Sequence, residues 1–127
     1  MNKILLVAAG GATGAVARYL LGGATLRWLG PNWPYGTFAA NLVGGLLMGL
    51  LAGFLAFKGG ADQEKLRLLL GVGVLGGFTT FSSFSLETAL MIERKAYPTA
   101  VGYVAGSVVL AIGALFLGLM IARKAFA

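Results

Sequence analysis

Four long apolar runs, at about 4–23, 37–57, 66–92 and 98–122, follow one another with only short polar turns between them. Each is close to the ~20 residues a helix needs to cross the hydrocarbon of a bilayer. Only 11% of the residues are charged, against about 25% in a soluble domain, and the mean hydropathy is +0.87. The chain therefore reads as an all-α membrane protein, a single four-helix transmembrane domain over 1–127. No second domain is expected within these 127 residues. A loop from Ala24 to Gly36 is expected between the first two spans: Trp28, Trp33 and Tyr35 suit the headgroup level, and Pro31 and Pro34 end the helix. The stretches Lys58–Lys65 and Glu93–Pro98 read as polar turns.

What is missing narrows the chemistry. The chain has no cysteine and no histidine, and its only acids are Asp62, Glu64, Glu87 and Glu93. Thiol chemistry, transition-metal sites and acid–base catalysis have almost nothing to work with, so no enzyme is expected. The net charge of +6 comes from basic residues scattered at span ends, the pattern of membrane flanks and not of a nucleic-acid surface. Gly71-Val72-Gly73-Val74-Leu75-Gly76 matches a dinucleotide-binding spacing, but no strand precedes it and its surroundings are apolar. The N-terminus has some look of a secretory signal, with Ala15-Val16-Ala17 after an apolar stretch. Gly10, Gly11 and Gly14 interrupt that stretch, and the first span is expected to be retained.

Within the third run stands Gly76-Gly77-Phe78-Thr79-Thr80-Phe81-Ser82-Ser83-Phe84-Ser85. Phe78, Phe81 and Phe84 recur every third residue, so on a continuous helix successive rings share a face. Ser and Thr in lipid can bond back to a carbonyl one turn earlier. That accounts for one or two hydroxyls; the density here is harder to explain so. The glycine pair marks a place where the third helix can open at mid-membrane and leave carbonyls free, which is tolerated only where protein or a watery path covers them. Such a break offers ligands to a hard cation or donors to an anion. The pattern points to a buried polar site.

Other residues belong with this block. Asn41, in the second span one turn after Thr37, is either interhelical glue or a ligand whose amide gives two donors without a charge. Tyr103 and Ser107 place two donors on one face of the fourth span. Arg18, deep in the first span, has three readings: snorkelling, pairing with a carbonyl, or drawing anions into a vestibule. Glu87 is the one acid within a span, either the partner of a positive group or a functional carboxylate. The glycine sets Gly10/Gly14, Gly45/Gly49/Gly53, Gly73/Gly77 and Gly102/Gly106 predict close backbone packing. Four short helices offer little interior, so a homo-oligomer is expected. Orientation is weakly set. Lys3, Lys58, Lys65, Arg67, Arg123 and Lys124 lie to one side, and Arg27, Arg94 and Lys95, with Arg18, to the other.

Taken together, the stretches from Gly10 to Tyr19, from Gly36 to Gly44 and from Gly76 to Glu87 resemble the Fluc/CrcB family of fluoride channels, and the likeness covers nearly the whole chain. The resemblance implies a multi-pass protein of the bacterial inner membrane, pairing antiparallel with an inverted copy as a dual-topology homodimer. It implies fluoride pores using Asn41, Phe81 and Phe84, a hydroxyl track of Thr80, Ser83 and Ser107, and Tyr103 near the pore. It also implies one central sodium ion on the backbone carbonyls of Gly76 and Thr79. Family members often carry a further hydroxyl one turn after Ser107, where this chain has Ala111. Two other readings compete: a small proton-coupled multidrug exporter using Glu87, and an assembly subunit without transport of its own.

Overall fold

The computed structural model describes residues 2–127, and every regular element among them is helical. Helix α1 (Lys3–Leu29) starts at Asn2, whose side chain accepts the Ile4 N–H at 2.7 Å and so satisfies one of the donors a helix start leaves free. It stops at Gly30, whose φ of 85° is natural only for glycine. Helix α2 (Tyr35–Lys58) follows Pro34. The loop expected from Ala24 is thus only Gly30–Pro34. Ala24–Leu29 contains no helix breaker, so α1 continues until Gly30 and Pro31 end it.

The third membrane-length body, Gln63–Glu93, is composite. It comprises a short α3 (Gln63–Leu66), a π-wound stretch π1 (Arg67–Leu75), one turn α4 (Gly76–Phe78) and α5 (Phe81–Glu93). Thr79 and Thr80 between the last two are extended, with φ/ψ of −85°/158° and −153°/123°. Phe78 therefore does not continue the helical face of Phe81 and Phe84, as three-residue spacing on an unbroken helix would require. Helix α6 (Tyr97–Phe126) completes the set. Among the described residues, four bodies are long and apolar enough to cross a membrane: Lys3–Leu29, Tyr35–Lys58, Gln63–Glu93 and Tyr97–Phe126.

These bodies pack as two pairs, α2 along α6 and α1 along π1 and α4, with α2 also touching α1. Close approach depends on missing side chains. A Cβ on Gly14 would overlap the Val74 carbonyl and crowd the Phe78 N–H, and one on Gly49 would overlap the Leu115 carbonyl. Backbone-to-backbone contact of this sort replaces the hydrophobic drive that helices lack in lipid. The Gly102/Gly106 pair is different: a Cβ at Gly102 meets nothing within 4 Å, and Gly106 only touches Phe38. On α6 the glycine that packs tightly is Gly118, against the backbone of α2 from Leu46 to Leu50, outside the four-residue pairs. The buried centre nearest the helix interruption is Met91, Ala100 and Tyr103, with Trp33, Phe38 and Phe84 against it.

Candidate ion-permeation site

The interruption at Thr79–Thr80 organises the site, and Asn41 holds it. The Thr80 N–H donates to Asn41 Oδ1 at 2.8 Å, and Asn41 Nδ2 donates back to the Thr80 carbonyl at 3.0 Å. The side-chain amide acts as a substitute peptide group, satisfying both the N–H and the carbonyl of Thr80. One N–H of Asn41 is left over. Thr80 also caps α5, its hydroxyl accepting the Ser83 N–H at 3.2 Å. Thr80→Ala will cost about 1 kcal/mol, seen as a lower thermal unfolding midpoint in detergent, and Thr80→Ser will restore it.

The carbonyls around the break divide cleanly. Leu75 O accepts the Thr79 N–H and the Thr79 hydroxyl, each at 2.9 Å, and Gly77 O accepts Arg18 Nε at 3.3 Å. Thr80 O is taken by Asn41. Among the described residues, no loop or side-chain hydrogen bond ends on the carbonyls of Gly76, Phe78 or Thr79. Of the three readings of Arg18, the structure shows the carbonyl pairing. Arg18 also lines a cavity of about 760 Å³ with Arg27 and Thr37.

Beside the break lies a groove of about 470 Å³ whose lining includes Asn41, Thr80, Phe81, Phe84, Ser107 and Ala111, and no charged side chain. Back-bonding accounts for only part of the hydroxyl block. Thr79 bonds to Leu75 O and Ser85 to Phe81 O, while Thr80 is a cap and shares a 3.3 Å bond with Ser82. Ser107 is 6% exposed, yet its hydroxyl has no partner among the described residues. Orphaned buried hydroxyls are uncommon, and this one borders the groove. Phe81 and Phe84 lie 5.7 Å apart at 46°. Ala111 puts a methyl where a further hydroxyl would lengthen the polar lining.

Ser83 and Tyr103, expected at the pore, do not line this groove. Tyr103 is fully buried, 5.1 Å from Phe84 between ring centroids. Its hydroxyl donates to Glu87 Oε1 at 3.0 Å, and the Thr37 hydroxyl donates to Glu87 Oε2 at 3.1 Å. Glu87 thus ties α2, α5 and α6 together through hydroxyls, and no positive group pairs with it among the described residues. Sequence reasoning missed this bridge. The available signal was Thr37, one turn before Asn41.

A family model described as "CrcB-like protein, Camphor Resistance (CrcB)" matches residues 5–119. The chain belongs to the CrcB family. Relatives run its full length. A protein of Phenylobacterium zucineum (strain HLK1), named fluoride-specific ion channel FluC, is 71% identical over 127 residues, covering 100% of both chains. One of Caulobacter sp. (strain K31), of the same name, is 67% identical over 126 residues, covering 99% of this chain and 98% of its own. Another so named, from Novosphingobium aromaticivorans, is 57% identical over 125 residues, covering 97% and 98%. CrcB membership removes the multidrug-exporter reading of Glu87.

Proposed function

We propose that this CrcB protein is a fluoride-selective passive channel, exporting fluoride from the cytoplasm across the inner membrane and so lowering its toxicity. The observation that carries the proposal is the groove at the helix break: it is charge-free, yet bordered by a buried hydroxyl without a partner and by an asparagine with a donor to spare. The name shared by the full-length relatives supports fluoride as the ion.

Fluoride is small and strongly hydrated, so a selective path replaces its water with close donors. It also avoids a fixed cation, since conduction needs binding weak enough to release the ion. Asn41 and the hydroxyls of Thr80 and Ser107, which line the groove, meet both requirements. The edges of Phe81 and Phe84 carry positive partial charge and accept an anion edge-on. Arg18 draws anions toward the mouth at a distance from the groove, and Glu87 holds Thr37 and Tyr103 in place. An inside-negative potential drives the anion outward by ~2.3 kcal/mol per 100 mV. No nucleotide or cofactor is consumed.

The same reading includes an antiparallel homodimer in dual topology, with the third helix broken at mid-membrane. Phe81 is 79% exposed beside an exposed Ser82, and a hydroxyl at that depth is poorly suited to lipid. A second copy would cover both. A structural sodium ion fits this chain: the carbonyls of Gly76 and Thr79 are unclaimed hard-oxygen ligands, and the Gly76 position is exposed. When bound, the ion adds positive potential near the pores.

The test is fluoride efflux from liposomes holding the purified protein, followed with a fluoride electrode and repeated with chloride. Fluoride release that waits for a potassium ionophore, with chloride retained, is the expected result. Silence from correctly assembled protein would reject the channel.

A further inference from the structure

A column of aromatic rings joins the α1–α2 loop to the groove, and its outer member, Trp33, has no part in the mechanism so far. Resting on the channel reading above, we infer that Trp33 is a positioning residue for permeation: its indole fixes the Tyr103 ring, and through it the Phe84 ring that walls the groove.

Trp33 sits in the Gly30–Pro34 loop between two prolines, which stiffen its backbone. Its ring meets Tyr103 edge-on, 5.2 Å between centroids at 82°. Phe38 and Tyr35, at the start of α2, brace the indole at 4.9 Å and 5.1 Å. Tyr103 in turn meets Phe84 at 5.1 Å. Because Tyr103 is 0% exposed, it cannot turn without displacing a neighbour in a close-packed interior. The orientation of Phe84 matters because a phenyl ring attracts an anion at its edge and repels it at its face. A side chain too small to hold Tyr103 lets Phe84 sample both.

A second observation points the same way. Cavities of about 290 Å³ and 160 Å³ are both lined by Trp33, and both reach Glu87. The indole helps to wall these spaces at the carboxylate. Shortening it would open Glu87 further to water, which competes for the Tyr103 hydroxyl and loosens the same ring from its other attachment.

The experiment compares initial fluoride efflux per folded protein in liposomes. Trp33→Leu and Trp33→Ala are expected to reduce efflux at least fivefold, Trp33→Phe to stay within twofold of wild type, and Trp28→Ala, at an 81% exposed site, to change nothing. A merely structural role is separated by coupling. Trp33→Leu added to Phe84→Ile should lower efflux no further than Phe84→Ile alone, since both act at one ring. Wild-type efflux in Trp33→Leu, a Trp33→Phe as slow as Trp33→Leu, or losses that multiply in the double variant would each overturn the inference. Wild-type protein that releases no fluoride in this assay rejects the channel reading, and the inference with it. Wild-type release beside an indifferent Trp33 overturns the inference alone.

Discussion

Phe84→Ile will lower fluoride efflux at least tenfold while the protein still folds and assembles, and Phe81→Ile will do the same. A tenfold loss corresponds to about 1.4 kcal/mol on the barrier, the loss expected when the positive ring edge is taken from the path of the anion. Isoleucine keeps an apolar side chain at each position and removes the aromatic edge. The two sites differ in what else they do. Phe81 is largely exposed in the single chain, so its replacement leaves the subunit fold nearly unchanged. Phe84 packs on Tyr103, so its replacement also loosens the core and lowers the unfolding midpoint. Reduced flux in both, with reduced stability only in Phe84→Ile, separates permeation from packing. Wild-type flux in both variants would rule out the ring-edge mechanism.

Much of this was legible in the sequence because lipid imposes strict rules. Span number follows from apolar length, and the glycine sets in α1 and α2 follow from the need for close backbone contact without hydrophobic drive. Gly102 breaks the second rule, since periodicity places it on a face without saying whether another helix lies there. The third body was harder to read. The sequence points to Gly76-Gly77 as the opening point, whereas the extended residues are Thr79 and Thr80. What opens the helix there is a bond made at long range: Asn41 supplies the groups that the Gly76 carbonyl and its helical neighbours would otherwise supply. Local spacing carries no trace of such a partner. The same holds for Glu87, whose two hydroxyl donors come from α2 and α6. By sequence Trp33 is a headgroup-level aromatic, because nothing in a proline-flanked loop announces that it folds back onto Tyr103.

Asn41→Ala should abolish measurable fluoride efflux and destabilise the fold, two losses with one origin. Alanine strands both the N–H and the carbonyl of Thr80, each costing ~1–3 kcal/mol when desolvated without a partner. The cheapest relief is for Thr79 and Thr80 to become helical, returning the Thr80 N–H to the Gly76 carbonyl. That change would claim a proposed sodium ligand and carry Phe81 and Phe84 away from the groove. Asn41→Asp separates the two roles of the amide. Its carboxylate still accepts the Thr80 N–H, so it should recover part of the lost stability. It cannot donate to the Thr80 carbonyl, and its negative charge on the groove wall repels an anion, so flux should remain absent. The decisive comparison is therefore stability against flux across the two variants. Recovery of the unfolding midpoint in Asn41→Asp without recovery of efflux would place Asn41 in the ion path as well as at the helix break. If flux returned together with stability, the amide would be structural only, and the anion's donors would have to come from Ser107 and its neighbouring hydroxyls.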